Sequence, residues 1–389
     1  MTPVEQPQPV SDRTGRTSPD RRRTFGLIAT VLAAVVGVTL AAASHNNKWW
    51  SDNLMGPDSS NFVPVDQIKK TNVGQLEVAW FYPYATQGFN PIVVDNVMYV
   101  LGRGSSLIAL DATTGKELWI HEGLAGITSR GVNFWQSADG KDKRILFSIN
   151  SFLQAIDATT GKSIATFGEG GVVDLRKGLA RAETSGARVQ SNSPGKVWKN
   201  LLILGSAPGE AFVNPPGDIR AYDVITGEKK WQFHTVPWPG EFGYETWSKD
   251  SYQVSGGANA WAGLSVDAAL GMVFAATGSA SFDFYGANRI GDNLFANCVL
   301  ALDARTGKRI WHFQGVRHDT WDLDFPAAPS LVTVMRDGRK VDAVAQITKT
   351  GYVFVLDRKT GKPLFPVKYR SAPASQLEGE KLSPLQPTR

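Results

Sequence analysis

Three aspartates, Asp319, Asp322 and Asp324, fall within a six-residue span of the stretch RHDTWDLDFPAAP, residues 317–329, beside Arg317 and His318. Carboxylates at this density have two uses. They can make a solvated turn, or they can bind a cation and accept a proton. In an extended segment residues two apart face the same way, so Asp322 and Asp324 share a side. The remaining histidines, His45, His121, His234 and His312, have no metal-site spacing. The glycines of GANRIGDN, 286–293, follow neither a Walker nor a Rossmann pattern, and no nucleotide is assigned to them. The single cysteine, Cys298, excludes an internal disulfide framework, a CxxCH haem site and a cysteine-based zinc site.

The elements that must position such a loop recur along the chain. LIALDATTGKELW (107–119) reappears as LQAIDATTGKSIATF (153–167), IRAYDVITGEKKW (219–231), VLALDARTGKRIW (299–311) and VFVLDRKTGKPLF (353–365). Each copy reads as a β-hairpin. An alternating strand runs into Asp, whose side chain bonds backbone N–H groups two residues on. Gly then supplies the positive φ of the turn, and a second strand ends in Trp or Phe. The turn aspartates, Asp111, Asp157, Asp223, Asp303 and Asp357, are 46, 66, 80 and 54 residues apart. A fixed hairpin at irregular spacing fits a propeller with long inserted loops better than a strict solenoid. FNPIVVDNVMYVLG (89–102) and NLLILGS (200–206) read as further strands, and NVGQLEVAW (72–80) as a degenerate first copy. Together they make about six blades or partial blades.

Composition agrees. The 389 residues are 42% hydrophobic, enough for a large core, and rich in Gly (39), Trp (12) and Phe (19), as β-structure with tight turns requires. The net charge of +5 owes much to five arginines before residue 24, and no basic stripe interleaves with aromatics, so nucleic acid is excluded as a partner. Residues 1–23 read as a disordered cytoplasmic tail ending in RRR. Residues 24–44 read as a transmembrane anchor with the N-terminus inside, or as a cleaved signal segment cut near AAAS. Residues 45–370 form the propeller, exported to a bacterial periplasm, and 371–389 a polar, Pro-rich tail that reads as a loop.

The repeat resembles the tryptophan-docking motif of pyrroloquinoline quinone (PQQ) dehydrogenases, over roughly residues 48–370. The segments NPIVVDNVMYVLGRGSSLIALD, FHTVPWPGEFGYETW and DFYGANRIGDNLFANCVLALDARTGKRIWHF bring it nearest the membrane-bound quinoprotein glucose dehydrogenases. The resemblance implies an all-β, eight-bladed propeller in which PQQ sits centrally. A cation, Ca2+ or another di- or trivalent ion, acts as Lewis acid on its C5 carbonyl, and hydride moves from a sugar or alcohol to C5. In the family an H-D-x-W-D segment carries the general base, which makes Asp322 the base here, with Trp321 holding the loop and Asp319 a structural turn residue. Asp324 matches an extra carboxylate of the lanthanide-type alcohol dehydrogenases. GSAPGE (205–210) implies Glu210 as a cation ligand, and TGSAS places Ser279 where the family has an Asn ligand, with Asp283 or a water to compensate. GGANAWAG gives Trp261 as the flat support of the ring, ITSRG gives Arg130 as partner of a PQQ carboxylate, and ITKTG gives Lys349 beside the quinone oxygens. Electrons would pass to ubiquinone in the membrane.

Docking motifs stop at Asp357, so about two of eight blades are expected to be missing from a truncated chain, or to come from a partner chain. An open propeller leaves strand edges unpaired. Two other uses of such a chain are a non-catalytic propeller of the same repeat, used for protein binding and assembly, and an inactive fragment.

Overall fold

Asp111, Asp157, Asp223, Asp303 and Asp357 each turn the chain in the same way. One carboxylate oxygen accepts the N–H groups two and three residues on, and the hydroxyl of the Thr before the Gly. The Gly that follows, from Gly115 to Gly361, has φ between 70° and 77°, where a side chain would strain the backbone. The computed structural model describes residues 50–83, 88–179, 189 and 192–388. The expected tail and anchor or signal segment, 1–23 and 24–44, lie outside them. Among the described residues no helix is long and apolar enough to cross a membrane.

Among the described residues, six antiparallel sheets follow one another along the chain. The first is β1 (Ile92–Val94), β2 (Val97–Gly102), β3 (Ser106–Asp111) and β4 (Glu117–His121). The second is β5 (Asn133–Gln136), β6 (Lys143–Ile149), β7 (Phe152–Asp157) and β8 (Val172–Asp174). The third holds β9 (Lys196–Trp198), β10 (Leu201–Leu204), β11 (Ile219–Asp223) and β12 (Lys229–Phe233). The fourth holds β13 (Leu264–Asp267), β14 (Met272–Ala276), β15 (Cys298–Asp303) and β16 (Arg309–Gln314). A three-stranded sheet, β17 (Ser330–Arg336), β18 (Arg339–Ile347) and β19 (Val353–Asp357), comes next. A two-stranded one, β20 (Lys368–Ser371) and β21 (Leu385–Thr388), comes last. Each four-stranded sheet is a meander in sequence order, and the first strands β5, β9, β13 and β17 touch their neighbours in turn. This is the propeller arrangement that the repeated hairpins predict.

The core lies between the sheets. Strand periodicity sends alternate residues to opposite faces. On β6, Ile145 and Phe147 pack toward the first sheet and Leu146 toward the third. On β14, Val273 and Ala275 join the third sheet's core, while Met272, Phe274 and Ala276 join the fifth's.

The docking residues weld each sheet to the next. Trp80, Trp119, Trp231 and Trp311 each lie over the turn Gly of the following hairpin. A Cβ on Gly115, Gly161, Gly307 or Gly361 would sit 2.5–2.6 Å from the ring. Each indole N–H also donates to the carbonyl of the residue after the turn Asp, at 3.0–3.1 Å. Trp80 thus docks as the degenerate first copy predicts, although residues 76–80 pair into no sheet.

Copies ending in Trp form full two-stranded hairpins, with a bulge just before the turn Asp. The two ending in Phe do not. After Asp157 and Asp357 a single bridge forms, at Ser163 and Pro363. At Phe167 no indole N–H exists, and the Arg144 guanidinium takes its place, donating to the carbonyls of Val224 and Ile225 at 3.2 and 2.8 Å. The terminal tail also departs from the expected loop. Leu385–Thr388 is a strand paired with β20, and Pro387, which has no N–H, is tolerated because the strand is at an edge.

Candidate active site

In a meander, successive connections alternate between the two ends of the strands. The Asp–Gly docking turns all follow the third strand of a sheet. The connections from second to third strand, and from one sheet to the next, therefore lie at the opposite end. Every candidate residue occupies one of those. Glu210 follows β10, Ser279 and Asp283 follow β14, and Lys349 follows β18. Trp261 lies between β12 and β13, Asp322 and Asp324 between β16 and β17, and Arg130 between β4 and β5.

The third, fourth and fifth sheets bring Glu210, Trp261, Ser279, Asp322, Asp324 and Lys349 together around one cavity of about 320 Å3. Arg130 reaches the same place through Trp261, its guanidinium 5.4 Å from the centroid of the indole, where the ring face attracts it. It also donates to Ser193 at 3.2 Å. Gly278 permits the close packing of this corner. A Cβ there would meet Asp324 Oδ1 at 2.4 Å and the Trp261 indole nitrogen at 3.2 Å.

Lys349 Nζ bridges the two aspartates, 2.8 Å from Asp322 Oδ2 and 3.1 Å from Asp324 Oδ2. Burial works against its charge, but the hydrogen bonds to Asp322 and Asp324 outweigh it and hold the ammonium above the ordinary lysine range. Asp324 is buried, and that pushes its carboxyl up, although the Ser279 N–H at 2.7 Å and Lys349 pull the other way. Asp322 has φ 53°, a left-handed conformation that Asp tolerates better than most residues.

Ser279 faces the cavity with its hydroxyl already engaged, donating to Asp319. Asp283 completes the wall. It is 4% exposed, and burial together with the charges of Glu210, Asp322 and Asp324 pushes its carboxyl up to about 7, against the pull of Arg289. Among the described residues no three His, Cys, Asp or Glu side chains stand close enough together to hold a metal ion as they are. The oxygens line a common cavity and do not converge on one point.

Asn259, Ser281, Arg289 and Asn297 join the site or its supports although nothing in the sequence points to them. Asn259 lines the cavity two residues before Trp261 and donates to the Ser206 carbonyl at 2.9 Å. Arg289 is fully buried inside the segment GANRIGDN. These residues lie inside recognisable strings without a distinguishing role there, because their burial comes from sheets stacking at long range. Trp321, expected to hold the loop, is 75% exposed and packs little.

The fold and the site define a propeller with a cavity walled by carboxylates and by an aromatic ring with a guanidinium over it. The family model for the β-propeller domain of PQQ-dependent glucose, ethanol and alcohol dehydrogenases matches residues 50–389, and the chain belongs to this family. It is 34% identical over 362 residues to the quinoprotein glucose dehydrogenase of Gluconobacter oxydans, covering 83% of this chain and 44% of that protein. It is 34% identical over 367 residues to the quinate/shikimate dehydrogenase (quinone) of Acinetobacter baylyi, covering 84% and 45%. The quinohemoprotein alcohol dehydrogenase of Pseudomonas putida superposes with a TM-score of 0.70 at 29% identity, over 83% of this chain and 48% of that one. The chain thus spans less than half the length of these relatives.

Proposed function

We propose that the chain carries out PQQ-dependent oxidation of a sugar or alcohol hydroxyl. The observation that supports this most is the meeting of Glu210, Trp261, Asp322, Asp324 and Lys349, drawn from four separate connections, on one cavity. The cavity's size is within the range of small-molecule sites. The residues suit the cofactor. An indole face with a guanidinium beside it fits a flat polycarboxylate, and a wall of carboxylate oxygens fits a hard cation.

PQQ, when bound, would supply the quinone that takes up the hydride of the carbinol carbon and with it the two electrons of the oxidation. Trp261 would support its ring, Arg130 would meet a carboxylate, and Lys349 would place positive charge near the carbonyl oxygens. Glu210, Ser279, Asp322 and Asp324 would be the oxygen donors for Ca2+ or another di- or trivalent cation, with Asp283 beside them. Asp322 accepts the proton of the substrate hydroxyl. Lys349 Nζ, 2.8 Å from Asp322 Oδ2, ties the side chain of the base to the cavity wall.

The cellular setting belongs to the same proposal. Residues 24–44, uncharged after RRR, anchor the chain in a bacterial inner membrane with the propeller in the periplasm, and electrons leave to ubiquinone. Cleavage of that segment would instead release a soluble periplasmic protein. The test is dye reduction by the purified protein with PQQ, Ca2+ and a panel of sugars and alcohols. Failure to retain PQQ would remove the proposal for this chain.

A further inference from the structure

Asp322 sits in a left-handed turn that its neighbours must enforce, and Trp321, at 75% exposure, does not enforce it by packing. His318, earlier in the same loop, is also left-handed at φ 47°. Backbone conformations of this kind persist where the surroundings over-determine them.

The surroundings here are one side chain. Asp319 is 3% exposed, and its carboxylate is fully used. Oδ1 accepts the N–H of Trp321 at 2.9 Å, and Oδ2 accepts the N–H of Leu323 at 2.6 Å. These are the two amides on either side of Asp322. Oδ2 also accepts Asn297 Nδ2 at 3.0 Å and the hydroxyl of Ser279. The Asp319 carbonyl accepts Arg289 Nη2 at 2.6 Å, and Asn297 Nδ2 also donates to the Leu323 carbonyl at 3.1 Å. Arg289 is itself fixed to Asn293 at 2.7 Å and to the Phe282 carbonyl at 3.0 Å. The loop is therefore clamped one residue before and one residue after Asp322, and the clamp is tied to the segments carrying Ser279, Arg289 and Asn297. Asp322's own side chain keeps one tie, to Lys349.

We infer that Asp319 is the positioning residue for the base: its carboxylate, buttressed by Ser279 and Asn297, sets the turn that aims Asp322 into the cavity. Ser279 on this account acts through its hydroxyl on Asp319, whatever it offers a cation. The inference rests on the proposed role of Asp322.

A carboxylate accepts on both oxygens, whereas an amide turns one of them into a donor. Asp319→Asn can therefore keep the Trp321 side or the Leu323 side, and it loses the other. Ser279→Ala removes one of the four donors and is the milder variant. Amide hydrogen exchange over peptides spanning 317–325 and steady-state kinetics with PQQ and Ca2+ are measured on both variants and on wild type. The expected result for Asp319→Asn is loss of protection in those peptides and a fall in kcat of tenfold or more. KM and PQQ affinity should stay within about threefold. Ser279→Ala should show the same loss of protection at smaller size.

Unchanged protection in folded Asp319→Asn overturns the clamp. Lost protection with wild-type kcat overturns its service to the base, as does a parallel loss of kcat, KM and PQQ affinity. An inactive wild type would count against the proposed function instead. In that case the exchange measurement still decides the clamp, because it needs no turnover.

Discussion

Gly278→Ala places one methyl where the site is packed most tightly. The added carbon would lie 2.4 Å from Asp324 Oδ1 and 3.2 Å from the Trp261 indole nitrogen, and the first distance is too short to survive. The backbone at Gly278 is not left-handed, so the residue itself can be accommodated and the strain falls on the site. Asp324 must leave the Ser279 N–H, which it now accepts at 2.7 Å. A hydrogen bond to a charged group contributes about 1.5–3 kcal/mol. Trp261 is pushed at the same time off the position where its face meets the cavity. If a cofactor must restore that geometry to bind, the cost appears in affinity, roughly 10- to 100-fold at about 1.4 kcal/mol per decade. The assay is titration with PQQ in Ca2+, followed by quenching of tryptophan fluorescence. Gly74→Ala is the control, since no atom lies within 4 Å of its would-be Cβ. A folded Gly278→Ala protein that binds PQQ within threefold of wild type would refute the packing argument.

Docking and protonation supply two further expectations. Gly307→Ala combines a positive φ of 70° with a Cβ 2.5 Å from the Trp231 ring, whereas Gly338→Ala has φ 74° and open space. The first should lose about 3–5 kcal/mol by urea unfolding and the second only about 1–2 kcal/mol, the difference being the docking contact; equal losses would contradict it. His312 is packed against Phe242 and Phe295, and burial, with the Arg309 guanidinium 3.1 Å from Nδ1, pushes its imidazole down to about 4. The unfolded chain binds that proton near pH 6.5, so stability is full above that pH and declines as pH falls toward 4. Allowing for its partial exposure the decline is about 1–2 kcal/mol, and His312→Asn should flatten it.

What was legible in the sequence was local. The turn aspartates bond N–H groups two and three residues away, and the turn glycines need only their own φ. Hence the motif at Asp111 and at Asp303 reads the same way in sequence and structure. Where the motif lost its Trp, at Phe167 and Phe365, the hairpin did not complete, and the replacement donor Arg144 stands 80 residues from the carbonyl it serves, at Val224. The candidate site was legible through the family resemblance, because Asp322, Trp261 and Glu210 sit in short recognisable strings. Arg289 and Asn297 also lie inside a recognisable string, DFYGANRIGDNLFANC, but nothing in it gives them a role. Their surroundings arise when the connections after β14 and β16 are stacked together, as with Asn297 and Asp319, 22 residues apart. The pairing of β20 with β21 was hidden for a similar reason. Pro387 argues against a strand until an edge position removes the need for its N–H.

The central claim is that this cavity takes up PQQ and that Asp322 is its base. Reconstitution with PQQ and Ca2+, read side by side as tryptophan quenching and as substrate-dependent dye reduction, tests it for wild type and Asp322→Asn. The account predicts that both proteins bind PQQ with similar affinity. Turnover should fall by at least 100-fold in Asp322→Asn, since an amide cannot accept the hydroxyl proton. Wild-type turnover in that variant, or a wild-type protein that does not bind PQQ, would contradict the claim.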